Sequence, residues 1–262
     1  MSTQYQLQGD VAVVTIDRPE RFNALDVAVS QGLVSAFERA GAEARAVVLT
    51  GAGRAFCSGA DLTDLMEDYE RGGPDLARIL DEIFHPVVEA LVECSVPTVA
   101  AINGPAAGAG MGLALGCDLR VMADSAYLTS AFTAIGLVPD SGTTWWLPHH
   151  VGISKALEIT FTNSRIEAEE AQRLGLCARI APSESVVEEA VGLAASLADL
   201  VPDSLVTTRR LLRQGATSSF DEALAAERRE QARLGKTREH LEGVAAFMEK
   251  RKPDYRNPSG KD

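Results

Sequence analysis

Residues 97–124 read PTVAAINGPAAGAGMGLALGCDLRVMAD. Val96–Ile102 is an apolar run of strand length, with Pro97 near its start. Asn103-Gly104-Pro105 ends it, a small-residue helix is expected from about Ala107 to Leu115, and Leu119–Met122 reads as another short strand. Toward the N-terminus, Ala46–Thr50 is a second buried-type strand that stops at Gly51-Ala52-Gly53. Before it stand a helical period over Val27–Arg39 and a hairpin, Tyr5–Gln8 with Val11–Asp17, turning at Gly9-Asp10. Helices are expected after Asp61 and over Leu76–Glu93. Strands alternating with helices in this way predict an α/β core with parallel pairing.

From Val186 onward the pattern is almost wholly helical: Val186–Leu197, Ser204–Arg213, Ser218–Leu234 and Thr237–Glu249, punctuated by Pro202 and Gly215. No repeat and no low-complexity linker interrupts the chain. The division expected is a core over residues 1–200 and a helical segment over 201–262, without a flexible joint.

The 262 residues carry 25 basic and 37 acidic side chains, a net charge of −12, with 46% hydrophobic and 24% charged residues. That balance excludes a mainly disordered chain and argues against nucleic acid or an anionic membrane as partner. Cys57, Cys94, Cys117 and Cys177 have no CxxC pairing and read as buried thiols of a reducing compartment. His85, His149, His150 and His240 show no metal-ligand spacing, so no metal is expected. The N-terminus lacks a signal pattern, and the most apolar stretch, Val99–Cys117, contains Asn103, Pro105 and five glycines. A cytoplasmic location with no membrane span is therefore expected.

Gly51-Ala52-Gly53 fails the dinucleotide fingerprint because Phe56 stands where its third glycine belongs. There is no Walker lysine, GxSxG or SxxK, and Cys57 and Ser58 lack a nearby base. Two glycine-rich turns remain, residues 53–62 (GRAFCSGADL) and 103–112 (NGPAAGAGMG), each leading into a helix. Such turns leave backbone N–H groups unobstructed, and two that converge make an oxyanion hole. Tight backbone packing is the plainer reading of either turn alone.

The two turns occur together with DRPERFNALD (17–26), GLVPDSG (136–142), RIEAEEAQRLGLCARI (165–180) and FMEKRKPDY (247–255). In this set and order the chain resembles the crotonase (enoyl-CoA hydratase/isomerase) superfamily over essentially its whole length. The resemblance implies a spiral of β-β-α turns followed by a C-terminal helical trimerisation segment, giving a homotrimer or a dimer of trimers. It implies an acyl-CoA thioester as ligand, with coenzyme A part of the substrate and no separate cofactor. The thioester oxygen would sit between the N–H groups of Ala60 and Ala109, with Asp61, Leu62 and Gly108 beside it. Position 109 is usually glycine in the family.

Hydratases of the family use two glutamates, and the motifs place those positions at Gly112 and Phe132. Neither can carry a proton, so ordinary hydration should be severely weakened. Gly112 would make room in the pocket and Phe132 would dry it. Asp140 remains. Its local sequence suits the N-cap of a following helix, while the resemblance implies an acid aimed at substrate. Residues 130–148 (SAFTAIGLVPDSGTTWWLP) look like the isomerases of aerobic phenylacetate degradation, which act on a ring epoxide and shift Δ3 double bonds to Δ2. One acid/base suffices for that chemistry.

Arg18 and Arg21 match positions that often approach the CoA phosphates, and Phe247 and Lys250 match positions that reach CoA from a neighbouring subunit. Surface charge, or a core aromatic, is the alternative for each. Either Trp145 or Trp146, not both, could line an aryl pocket. Asp64, Glu67, Asp68 and Glu70 look like a solvated face over the acyl site. The rival readings are an enoyl-CoA hydratase, an aryl-CoA dehalogenase with Asp140 as nucleophile and His85 or His149 as base, and a non-catalytic acyl-CoA or RNA binder.

Overall fold

The structure, a computed structural model, describes residues 2–258. The hairpin forms as β1 (Thr3–Gln8) and β2 (Val11–Ile16), antiparallel around Gly9-Asp10. Asp26 then caps α1 (Val27–Glu43), its carboxylate accepting from Val29 N–H at 2.7 Å. The fully buried β3 (Ala46–Gly51) follows, and after it the short helices α2 (Met66–Glu70) and α3 (Leu76–Ile79). A five-residue π-helical segment, Leu80–Phe84, joins α3 to α4 (His85–Val92). The continuous helix expected over Leu76–Glu93 is therefore interrupted by one wide turn.

The segment that opened the sequence reading becomes β4 (Thr98–Ile102), β5 (Ala106–Ala107), α5 (Ala109–Gly116) and β6 (Leu119–Ala123). The helix starts at Ala109 and not near Ala107, because Ala106 and Ala107 pair in parallel with Leu128 and Thr129 of β7 (Tyr127–Thr129). All eight residues of α5 are buried, as suits a helix apolar on every side. Then come α6 (Thr143–Val151), α7 (Ile153–Thr162), β8 (Ile166–Glu167), α8 (Ala168–Arg173) and β9 (Arg179–Ala181). The chain continues through α9 (Val186–Ala198), α10 (Pro202–Gly215), α11 (Phe220–Leu234) and α12 (Arg238–Glu249). No single helix among the described residues is long and apolar enough to cross a membrane.

Six strands form one sheet in the order β1-β2-β3-β4-β6-β9, parallel apart from the β1–β2 hairpin, and β5-β7-β8 form a second, smaller sheet. β4-β5-α5 and β6-β7-α6 are successive β-β-α turns, each giving one strand to the large sheet and one to the small. The bridges Leu25↔Ala60 and Cys57↔Ala106 continue the small layer toward the N-terminus. This is the α/β spiral that the motifs predict.

Two polar clusters fix it, one buried and one half-buried. Arg120 donates to the carbonyls of Cys117 at 2.8 Å and Leu115 at 3.4 Å, closing the C-terminal end of α5. Asp118 accepts from Thr98 N–H at 2.9 Å and from Arg209 at 2.9 Å, which ties α10 to the strand ends. By contrast Leu212, Phe220, Leu241, Phe247 and Met248 on the last three helices stay exposed.

Candidate active site

The loop after β3 is held from two sides. Asn23 is buried and donates to the Ala52 and Ala55 carbonyls at 2.9 and 2.6 Å, while Asn103 accepts from Gly51 N–H at 3.1 Å and donates to Gly53 O at 3.0 Å. The chain is thereby delivered to residues 57–61, which make single bridges to two neighbouring segments. Leu25 N–H donates to Gly59 O at 2.7 Å and Asp61 N–H to Leu25 O at 3.1 Å. In this parallel bridge the groups bonded to Leu25 flank Ala60 on both sides, so Ala60 N–H itself points away from Leu25. On that other side Ala107 N–H donates to Cys57 O at 2.9 Å, and the chain runs on into α5.

Ala109 is the first residue of α5, so its N–H has no carbonyl within the helix to bond. Two glycines let the segments meet. A Cβ on Gly110 would stand 2.2 Å from Cys57 O, and one on Gly59, at φ 93°, would stand 3.0 Å from Ala107 O and 3.3 Å from Ala109 N. Among the described residues neither the Ala60 nor the Ala109 N–H has a hydrogen-bond partner. Both residues line a cavity of about 610 Å³.

Asp140 lines the same cavity, and it is the only carboxylate doing so among the described residues. It is not a helix cap. Gly142 holds the cap position of α6, and Asp140 offers that turn only its backbone carbonyl, to Thr143 N–H at 2.8 Å. Its carboxylate accepts instead from Ser141 Oγ at 2.8 Å. Ser141 is buried in the left-handed region at φ 50°, and Ala131 on the facing loop has φ 62°. Such conformations in non-glycine residues persist only where the surroundings enforce them. Burial pushes the Asp140 carboxyl above the usual carboxylate range, against the opposing pull of the Ser141 hydroxyl and of His85 nearby.

The walls are apolar. Leu62, Leu65 and Tyr69 come from the segment after Asp61, Leu76, Leu80 and Phe84 from α3 and the π turn, and Phe132 and Leu137 from the loop before α6. Gly108 completes the floor beside Phe132, whose Cζ would lie 3.7 Å from a Cβ there. Thus Ala60, Leu62, Gly108, Ala109, Phe132 and Asp140 are brought together.

The other expected site residues stand elsewhere. Gly112 does not line the cavity: a Cβ there would meet Ser141 O at 2.6 Å, so this glycine admits the Asp140 turn and does not widen the pocket. Trp145 faces a separate cavity with Arg209 and Arg213, stacked on His149, since its helical phase turns it away from Asp140. Arg18 is consumed by ion pairs of 3.0 Å with Asp26 and with Asp61, and so clamps the loop. Asp61 is buried, which alone would raise its pKa, but the Thr63 hydroxyl and N–H and the Arg18 guanidinium hold it below the ordinary carboxylate value. Arg21 reaches Thr63 Oγ1 at 3.1 Å, one helical step from the cavity wall. Phe247 and Lys250, at the end of α12, do not line this cavity in the single chain.

Two contributors escaped the sequence reading: Asn23 with its loop clamp, and Ser130, whose buried hydroxyl beside the cavity has no partner among the described residues. Of the two histidines considered as a base beside Asp140, His85 lines this cavity and His149 does not. Among the described residues no group of three or more His, Cys, Asp or Glu side chains could hold a metal ion.

A family model described as enoyl-CoA hydratase/isomerase matches residues 6–258. A Rhodobacter capsulatus protein named "Probable enoyl-CoA hydratase" is 42% identical over 96% of both chains. The 1,2-epoxyphenylacetyl-CoA isomerase of Escherichia coli K12 is 34% identical over 94% of both. The crystal structure of an enoyl-CoA hydratase from Polaromonas sp. JS666 superposes with a TM-score of 0.91 at 30% identity, over 96% of this chain and 98% of that one.

Proposed function

The chain belongs to the enoyl-CoA hydratase/isomerase family, with the crotonase fold, and on that premise we propose that it is an acyl-CoA isomerase with Asp140 as its proton shuttle. Asp140 removes a proton α to the thioester carbonyl. The negative charge that develops on the thioester oxygen is taken by the Ala60 and Ala109 N–H groups, each worth about 3–4 kcal/mol of transition-state stabilisation at such a site. The carboxyl then returns the proton at the γ-carbon, and a Δ3 double bond becomes Δ2. The same enolate chemistry suits a ring epoxide next to the thioester.

One observation carries this reading: among the described residues, a single carboxylate faces an apolar cavity that also holds two unpartnered amides. Its raised pKa brings the base closer to working pH, which favours proton transfer in both directions. The E. coli relative named as an isomerase agrees with this choice. Asp140→Asn should lower Δ3→Δ2 isomerisation of 3-hexenoyl-CoA by about 10²–10⁴-fold while CoA-thioester binding persists; unchanged turnover would overturn the assignment.

As to assembly, the uncovered apolar faces of α10–α12 suit a homotrimer or a dimer of trimers. Phe247 and Lys250 would then approach the CoA of a neighbouring subunit, with Arg21 at the rim of its own.

A further inference from the structure

On the reading that Asp140 takes the α-proton, we infer that His85 is a second proton carrier in the same cavity, and that it serves thioesters bearing an oxygen leaving group on the β-carbon.

The π turn puts it there. At about 100° per residue, a regular helix would carry His85 roughly 180° round from Leu76, onto the opposite face. The segment Leu80–Phe84 contains one extra residue per turn, and the His85 N–H bonds to Leu80 O, five residues back. That insertion turns His85 back by about 100°, to roughly 80° from Leu76 and close to the phase of Leu80. Leu76, Leu80, Phe84 and His85 accordingly all line the cavity. π turns inside helices gather at functional sites, and this one delivers the only imidazole among the described residues that line the pocket.

On its solvent side the ring has a carboxylate neighbour, Asp81 Oδ1 at 3.3 Å from Nδ1, one helical turn earlier. The side chain is 46% exposed, so it can exchange protons with water between turnovers. His85 and Asp140 come from different walls, one from the helix after α3 and one from the loop before α6.

Such a pair completes an elimination that one carboxylate cannot. Asp140 takes the α-proton, and the electrons of that C–H bond form the enolate, whose charge rests on the thioester oxygen. As the enolate collapses, the α,β double bond forms and the β-carbon–oxygen bond breaks. The departing hydroxyl takes a proton from the His85 imidazolium and leaves as water. Asp140 ends protonated and His85 neutral, and proton exchange with solvent restores both. In reverse, His85 activates water and Asp140 delivers the proton. Hydratase chemistry then needs no carboxylate at Gly112 or Phe132.

The test compares two rates on the full-length protein: dehydration of 3-hydroxyhexanoyl-CoA, and deuterium exchange at the α-carbon of hexanoyl-CoA. His85→Gln should lower dehydration by about 10²–10⁴-fold and shift the ratio of the two rates by at least about 10²-fold. Asp140→Asn should depress both. A ratio unchanged in His85→Gln, or a wild-type enzyme that exchanges deuterium without dehydrating, overturns the role of His85 alone. Wild-type enzyme without α-exchange overturns the Asp140 reading and this one with it.

Discussion

Asp140 sits where its ionised form is disfavoured, and the fold bears that cost. Burial raises its pKa, so the folded state still holds the proton at a pH where the unfolded chain has released it. The cost is absent below about pH 4, grows as pH rises through the folded value, and is constant above it. Asp140→Asn should therefore raise Tm at pH 7 and by much less at pH 4, as read by calorimetry; an equal gain at both would show that the carboxylate is not strained. Local sequence spoke for a cap here, because Asp ahead of a helix usually is one. What reverses it is the left-handed pair Ser141 and Gly142, which carries the chain one further step before α6 begins. Gly112 misled for a related reason: its neighbour is Ser141, 29 positions along the chain, and nothing local announces that contact. Arg18 likewise finds Asp61 across 43 residues, so its role as a clamp is visible only in the folded state.

At the scale of elements, the site depends on α5 lying directly on segment 57–60. Gly110→Ala would push a methyl group into Cys57 O. The expected result is a loss of about 1–3 kcal/mol in stability, and about a 10²-fold fall in kcat as the Ala109 donor is displaced. A variant with full kcat would show that the two segments need not touch. Asn23→Ala removes two buried donors and the acceptor of Arg18 N–H. It should cost about 2–4 kcal/mol, measurable by urea denaturation, with unchanged stability counting against the clamp. Strands β2, β3, β4 and β6 were legible as apolar runs, and so were the long helices. The pieces of the small sheet were not, since two- and three-residue strands such as Ala106–Ala107 carry no period of their own. His85 was legible only as one of two candidates with His149, because the π turn that seats it in the cavity breaks the helical period that pattern reading relies on.

For the whole molecule, the apolar residues of α10–α12 set the expectation for assembly. Leu212 is 72% exposed and Phe247 81%, values that a solitary chain gains nothing by keeping. The pair Leu212→Asp and Phe247→Asp should convert a trimer into monomers in analytical ultracentrifugation while circular dichroism stays native; an unchanged sedimentation coefficient would place the interface elsewhere. The net charge of −12 first spoke against anionic partners, yet the proposed ligand is an anion whose reacting end is met by neutral amides. Those amides come from successive turns of one spiral, bound to each other through Cys57 and Ala106. It follows that the hole has no local precursor: a peptide that carries one amide without the segment of the other cannot hold an anion between two donors. In a denaturant titration, catalysis and the sheet should accordingly vanish in a single cooperative step.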